Sequence, residues 1–580
     1  MMWWMPTLKR SIRTSNAFPN IGLNIILPWS IIVIRQDFFY HKAKKKGNTA
    51  FMRITEILAE NSRLYRDEIA LVERIPASET RKELTWHQFY ASACKLANGL
   101  HNSGIKKSDT VVQLMTNSLE WLPIYFGILY TGAWAVPLNF RFESDKILLC
   151  ANTAAPKAFI FGEEFIQRIA AIRSELASSV RLWIFTGPRK SCPAWAYLFD
   201  DFIQDQQGHM PPDVPIKNDD DAGLYFTSGT TGTPKAVLLT HKNLTHACEV
   251  ENSHHGQTHE DIFLCIPPLY HTGAKMHWMG SFLVGGRCIL LNGVKPEWIF
   301  EAVSEERCTI AWLLVPWAHD ILIAIENKSL DLSHYHLDQW RLMHSGAQPV
   351  PPSLVKRWQN HFPGQGYDTN YGLTESTGPG CIHLGLENSH RIGPIGKPGH
   401  GWEAKIVDKQ GNHLFGNETG ELIVRGPGVM KAYYKNPEAT GKTLDNGWLR
   451  TGDMARYDKD GFIWLVDRKK DMIIYGGENI YPNEIENFFL GHEKIKDIAV
   501  IGVPDERLGE IPAGIISVKP DCMICESDIQ EFQQALPRYK RLKKIFFGDV
   551  PRNPTGKIEK PKLRRLYAED KRKDLQKLLQ

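Results

Sequence analysis

Apolar and polar positions follow two periods along this chain, and most of its body alternates between them. Thr85-Trp86-His87-Gln88 has the form of a capping box and opens a helix whose Phe89, Ala93, Leu96 and Leu100 share a face, with Gly104 as its stop. Residues 109–115 then read as a buried strand, Ser118 opens a helix through Trp121, Tyr125 and Leu129, and residues 133–138 are strand-like again. Strand runs recur at 158–162, 182–185, 288–291, 310–314 and 340–345. Strands alternating with helices of these lengths predict βαβ units and a largely parallel sheet. From about Gly416 the texture changes to shorter strands and many turns. After the charged run Asp467-Arg468-Lys469-Lys470-Asp471 a compact α+β pattern begins, with helices near 485–490 and 527–536 and strands near 498–503 and 514–518. The bland reading of that run is a solvated turn.

At 580 residues two or more domains are expected, and 43% hydrophobic with 23% charged residues is a globular composition. The ten cysteines show no pairing framework. The Cys522-x-x-Cys525 pair has no second pair at zinc-ribbon spacing, so reduced thiols in a cytoplasmic compartment are the expectation. The formal charge of +4 is uneven. Residues 1–51 carry Lys9, Arg10, Arg13, Arg35, Lys42, Lys44, Lys45 and Lys46 against Asp37, a net of +7 that leaves −3 for the rest. A mildly acidic body gives no support to nucleic-acid binding.

Residues 14–34 are uncharged and contain Ile25, Ile26, Leu27 and the run Ile31 to Ile34, which suits a membrane anchor and membrane association. Pro19, Pro28, Asn16, Asn20, Asn24 and Ser30 dilute the segment. The favoured reading is a start at Met52, where an amphipathic helix begins with Ile54, Ile57, Leu58 and Leu64 on one side; a disordered leader is the third reading.

Four groups of residues carry candidate chemistry. Residues 224–241 place Thr227-Ser228-Gly229-Thr230-Thr231-Gly232-Thr233-Pro234-Lys235 between two apolar runs, after which Thr240 is placed to cap a helix. Glycines let the backbone approach an anion, hydroxyls and N–H groups donate to phosphate oxygens, and lysine adds charge; a flexible surface hairpin is the bland alternative. Pro234 separates this loop from the Walker pattern. Ser345-Gly346-Ala347-Gln348-Pro349 and Asn370-Tyr371-Gly372-Leu373-Thr374-Glu375 offer small residues and an aromatic face for a flat base, with Glu375 a hard oxygen ligand. Asp453 and Arg468 suit a sugar's hydroxyls or a phosphate. Lys557 lies in the turn Pro554-Thr555-Gly556-Lys557, where the bland reading is one exposed lysine among many.

The full string from Thr227 to Lys235, followed in order by these motifs, resembles the adenylate-forming superfamily of acyl-CoA synthetases, aryl-CoA ligases, luciferases and peptide-synthetase adenylation domains. The resemblance runs from Met52 to Leu566. It implies an α/β fold: a large N-terminal domain with parallel sheets and a distorted β-barrel part, and a small mobile α+β C-terminal domain. The implied division is a leader at 1–51, an adenylation domain at 52–467, a hinge at 468–472, a lid at 473–566 and a charged tail at 567–580. By resemblance, Thr227, Ser228, Gly229, Thr230, Thr231, Gly232 and Lys235 grip phosphates. Gly346, Ala347, Gln348, Asn370, Tyr371, Gly372 and Thr374 hold the adenine side, and Asp453 and Arg468 the ribose. Glu375 and Thr227 face Mg²⁺, and His271 in Tyr270-His271-Thr272-Gly273 borders the carboxylate pocket. Lys557, rather than Lys560 or Lys562, is the catalytic lysine of acyl-adenylate formation. Lys470 is the hinge, and Gly476, Gly477 and Glu478 serve the thioester step.

The implied reaction consumes ATP, coenzyme A and a carboxylic acid and passes through an acyl-adenylate. A fatty acid of medium or long chain is the expected substrate, with an aryl or alicyclic acid as the alternative. A luciferase-like monooxygenase and a degenerate nucleotide-binding scaffold are the remoter readings. The aspartate that amino-acid-activating relatives use is missing near His271, and Lys275 stands where some long-chain synthetases carry an aromatic gate. Trp278, Met279, Phe282, Trp312, Leu313, Val315 and Trp317 are either an acyl wall or ordinary core. A homodimer is the oligomer to test for.

Overall fold

The computed structural model describes residues 52–227, 234–476, 478–520, 522–552 and 557–567, without the side chain of Pro379. Thr85 caps the helix Trp86–Asn102 through its reciprocal bonds with Gln88, and Phe89, Ala93, Leu96 and Leu100 are fully buried. Thr240 does the same for His241–His255 with Asn243 as its partner. The opening helix Ile54–Leu64 buries Ile54, Ile57 and Leu58, but its apolar stripe stops short of Leu64, which is exposed at the helix end.

Two large sheets form the body. The first runs Gly366–Asp368, Leu342–Gly346, Ile310–Leu314, Ile262–Cys265, Arg287–Leu291 and Ile69–Ile75, all parallel, and ends on the antiparallel strand Thr80–Thr85. The second contains the parallel strands Tyr197–Leu198, Leu182–Thr186, Ala158–Gly162, Thr110–Leu114, Trp134–Pro137 and Asp221–Thr227. It continues antiparallel through Lys235–Thr240 and Ala432–Tyr433. The strands Ala158–Gly162 and Ile310–Leu314 are apolar at every position because both faces are covered. Trp278 and Phe282 belong to the core between the helices: Phe282 lies 5.7 Å from Trp86 and 5.5 Å from Phe126, ring to ring.

The turn-rich region pairs Glu403–Val407, Gly420–Arg425, Trp448–Tyr457 and Leu444–Asp445 antiparallel, with Ile463–Arg468 also on Trp448–Tyr457. The two outer strands do not pair with each other, so this part is an open sheet and not a closed barrel. Beyond Asp471 a separate five-stranded sheet is built on the long hairpin Ile495–Asp505 and Gly509–Val518. Ile473, Ile485, Phe489, Ile498 and Ile516 are among the residues of its own core. No helix among the described residues is long and apolar enough to cross a membrane. The leader reading at residues 1–51 falls outside the described residues, and the ten cysteines are free thiols.

Candidate active site

The antiparallel pair Asp221–Thr227 and Lys235–Thr240 brings Thr227 directly opposite Lys235. Ser228, Gly229, Thr230, Thr231 and Gly232, which join them, lie outside the described residues. Lys235 holds its Nζ 4.6 Å from the ring centre of Tyr433, whose strand Ala432–Tyr433 pairs with its own. The Tyr433 hydroxyl donates to Glu375 Oε1 at 2.7 Å, and the Glu375 carbonyl accepts from the Met430 amide at 2.8 Å. Lysine, tyrosine and carboxylate are thus assembled from three distant segments. Burial, and then the Glu375 charge, push the Tyr433 hydroxyl far above its usual pKa, so it remains a donor. Tyr433 was not foreseen, since Lys431-Ala432-Tyr433-Tyr434 has no spacing that marks it. Glu375 Oε2 makes no hydrogen bond among the described residues. That leaves a hard oxygen beside the hairpin of Thr227 and Lys235, a donor that fits Mg²⁺.

Asp453 and Arg468 are paired across neighbouring strands, with Arg468 Nε 3.1 Å from Asp453 Oδ1. The other oxygen of Asp453 accepts from the Tyr371 hydroxyl at 2.5 Å, so Tyr371 is anchored by its hydroxyl as well as by its ring. Asp453 holds the guanidinium of Arg468 above its ordinary pKa. A carboxylate only 5% exposed, shared between a phenol and a guanidinium, is held in one orientation.

Gly346 ends the strand Leu342–Gly346, and Ala347 follows in the left-handed region at φ +67°. A non-glycine residue there stores backbone strain, which clusters at ligand-binding loops. Gln348 Oε1 accepts from Arg552 Nη1 at 2.7 Å, and Arg552 also makes a bidentate pair with Asp497, both bonds at 2.8 Å. Arg552 bridges to Ile558, the residue after Lys557, and so links it to the loop of Ala347 and Gln348. Asn370 turns its amide inward to Glu251 Oε1 at 3.0 Å. Gly372 lies in the strand Asn370–Leu373, and Thr374 opens the short turn Thr374–Ser376 that presents Glu375.

Lys557 is the cation at the centre. Burial lowers it to about 8, with Arg468 and Lys470 lowering it and Asp453 and Glu375 raising it. His271 precedes the helix Thr272–Phe282. Burial, then the charges of Lys557 and Lys275, bring its imidazole down to about 3, so it is neutral across the physiological range. Lys557 is therefore within electrostatic reach of Glu375, Asp453, Arg468 and His271. One turn beyond His271, Lys275 is fully buried with no carboxylate in ion-pair range among the described residues. Its Nζ is 4.7, 5.2 and 5.7 Å from the rings of Tyr225, Tyr125 and Trp121, and burial brings it down to about 7.

Lys560, in contrast, is bound to Glu486 Oε1 at 2.8 Å and is structural. In the charged run, Asp467 and Asp471 are buried rather than solvated, and Asp471 pairs with Arg564 at 2.9 Å. Burial lowers the pKa of Lys470 between them. Gly476 turns at φ +58° between Ile473–Tyr475 and Glu478–Ile480, with Glu478 exposed; Gly477 lies outside the described residues.

The family model described as AMP-binding enzyme matches residues 58–434, and the AMP-binding enzyme C-terminal domain matches 484–557. The chain is 34% identical to feruloyl-CoA synthase of Amycolatopsis sp over 491 residues, covering 84% of this chain and 94% of that protein. It is 32% identical to long-chain-fatty-acid–CoA ligase FadD13 of Mycobacterium tuberculosis (strain ATCC 25618 / H37Rv) over 499 residues, covering 85% and 94%. The crystal structure of the anthranilate CoA ligase AuaEII in complex with anthranoyl-AMP superposes with a TM-score of 0.81 at 25% identity, covering 90% of this chain and 98% of that one. The chain belongs to the AMP-binding enzyme family and is an adenylate-forming acid–thiol ligase.

Proposed function

We propose that this enzyme activates a medium- or long-chain fatty acid as its acyl-adenylate and transfers the acyl group to coenzyme A. The observation that carries the reading is the convergence of Lys557 on Glu375, Asp453, Arg468 and His271. In the first half-reaction a carboxylate oxygen of the acid attacks the α-phosphorus of ATP, and the bond to pyrophosphate breaks. Lys557 offsets the charge growing between carboxylate and phosphate, while Lys235 and the hairpin after Thr227 grip the departing pyrophosphate. Asp453 accepts from the ribose hydroxyls, and Arg468 holds it in place. The base lies against Gly346, Ala347 and Tyr371. Neutral His271 borders the acid without placing a second positive charge beside Lys557. A Mg²⁺ ion brought with ATP would be held by Glu375 and Thr227 and would neutralise phosphate charge. In the second half-reaction the thiol of coenzyme A attacks the acyl carbon and AMP leaves. A turn about Lys470 that withdraws Lys557 and brings Gly476, Gly477 and Glu478 to the site supplies the second residue set.

An aryl acid is the second reading, favoured by the ring of Trp312: a Cβ built on Gly273 would lie 3.0 Å from it, so an aromatic surface borders the turn after His271. Pyrophosphate release separates the readings when straight-chain acids of increasing length are compared with benzoic and hydroxycinnamic acids, with and without coenzyme A. Higher kcat/KM for the straight-chain acids supports the proposal. Preference for an aromatic acid selects the second reading, and failure to turn over any acid overturns both.

The ribose assignment has its own test. Asp453→Asn is expected to raise the KM for ATP about tenfold or more, since a charge-assisted bond is worth about 1.5–3 kcal/mol, while the KM for coenzyme A changes little. An unchanged ATP KM in a folded variant removes Asp453 from the nucleotide site.

A further inference from the structure

Beneath the base-side loops lies a cluster that the adenylation chemistry does not use. The strands Leu342–Gly346 and Gly366–Asp368 are parallel neighbours that place His344 directly beside Asp368. The helix His241–His255 ends against them and sends His255 into the same space. His255 Nε2 lies 2.7 Å from Asp368 Oδ2 and 3.1 Å from His344 Nδ1, and His344 Nδ1 lies 3.5 Å from Asp368 Oδ2. All three side chains are 0% exposed.

These contacts are hard to satisfy as hydrogen bonds alone. A third imidazole nitrogen, His383 Nδ1, approaches the same Asp368 oxygen at 3.3 Å, so three rings crowd one atom. Neither nitrogen of His383, nor His344 Nε2, nor His255 Nδ1 finds a well-directed hydrogen bond among the described residues. The charge is equally unresolved. Glu251 and Asp368 are both fully buried, and every ion-pair partner either has among the described residues is a histidine. A protonated His383, 3.3 Å from Asp368 and 3.4 Å from Glu251, offsets one of the two buried negative charges and leaves the other to be compensated.

We propose that His255, His344 and Asp368 bind one divalent cation of the zinc class. The donor atoms all lie within 4.8 Å of one another. Two imidazole nitrogens and one carboxylate oxygen form a set suited to Zn²⁺, whereas Mg²⁺ and Ca²⁺ favour all-oxygen ligands. Tetrahedral bonds of about 2.0 Å separate ligand atoms by about 3.3 Å, so the observed spacings need shifts of about half an ångström. The surroundings match a metal's outer contacts. Glu251 Oε2 stands 3.5 Å from His255 Nδ1, on the far side of the ring from the cluster. It is itself held by His277 at 2.9 Å and shares its carboxylate with Asn370 at 3.0 Å. Asp368 Oδ1 accepts from the Gly385 amide at 3.1 Å. Carboxylates behind ligating histidines, and hydrogen bonds behind ligating carboxylates, are usual at metal sites. Such an ion would tie the helix end to the two strands that lead into Gly346–Gln348 and Asn370–Glu375, and so would brace the nucleotide wall without touching ATP.

The test uses the full chain, tag removed, grown with zinc and purified without metal resin. Elemental analysis is expected to find about one zinc per chain. Chelation should lower Tm, with recovery on adding Zn²⁺ but not Mg²⁺. Cobalt added to the chelated wild type should give the visible d–d bands of a four-coordinate site. Glu251→Gln should weaken zinc binding about 10–100-fold against a chromophoric chelator. His344→Ala and His255→Ala should lose the cobalt bands; the wild-type spectrum keeps the test decisive where a variant does not fold. Wild type that neither retains zinc nor gives cobalt bands overturns the proposal in favour of a purely hydrogen-bonded cluster. Unchanged cobalt bands in a folded His344→Ala protein overturn it as well, since the ion then lies elsewhere.

Discussion

Lys557→Ala is expected to cut acyl-adenylate formation by about 10²–10³-fold, the usual cost of removing one charge-stabilising donor from a reacting centre. The same variant should convert supplied acyl-adenylate and coenzyme A to thioester at near wild-type rate if, as proposed, the second half-reaction uses the other residue set. Equal loss in both steps would sink the division of labour. The pH profile gives an independent reading. Lys557 is lowered from 10.5 to about 8, so its ammonium is present below that pH and lost above it. The kcat/KM for adenylation should fall as pH rises through about 8. Bound phosphates favour the charged form, so the alkaline limb of kcat should lie at higher pH. Lys557→Ala should lack the limb altogether. If the variant retains it, another group is responsible.

Lys275→Met is expected to stabilise the protein near pH 6.5 and to lose that advantage as pH rises. The Lys275 amine is lowered from 10.5 to about 7 by burial. The cost of keeping it charged is therefore fully present below about 7 and is relieved as pH rises toward 10.5, where the unfolded chain also loses its proton. At about 1.4 kcal/mol per pH unit the displacement corresponds to about 5 kcal/mol. The three rings around Nζ return part of this, about 0.5–2 kcal/mol each when desolvated. What remains as the gain for an unbranched apolar chain of similar length is at most about 3.5 kcal/mol. Chemical denaturation of both proteins across pH 6–10 isolates the effect, since all other titrations cancel in the difference. A gap that does not change with pH would show that the Lys275 amine is not lowered in the folded protein, since both states would then bind its proton alike. A less stable variant at pH 6.5 would show that packing, not charge, dominates there.

The chain itself determines much of this protein. Capping at Thr85 and Thr240, the fully apolar strands and the alternation of periods define the parallel body, because these signals act within a turn or a strand. The order Thr227–Lys235, Tyr371–Glu375, Asp453, Arg468, Lys557 defines the nucleotide chemistry, because each stretch carries a residue pattern of its own. Tertiary structure decided what depends on distant pairing. Tyr433 joins Lys235 to Glu375 only because its strand adds to the edge of the hairpin that carries Lys235. Trp278 and Phe282 became core instead of acyl wall because the helix after His271 packs that face on Trp86 and Phe126. Asp467 and Asp471 are buried because a helix near the C-terminus and the core of the last sheet cover them. The histidine–carboxylate cluster was invisible for the same reason. Glu251, His255, His344, Asp368 and His383 come from four separate stretches with no shared motif. A buried donor set of this kind exists only once one helix end and a neighbouring pair of parallel strands have been brought into register.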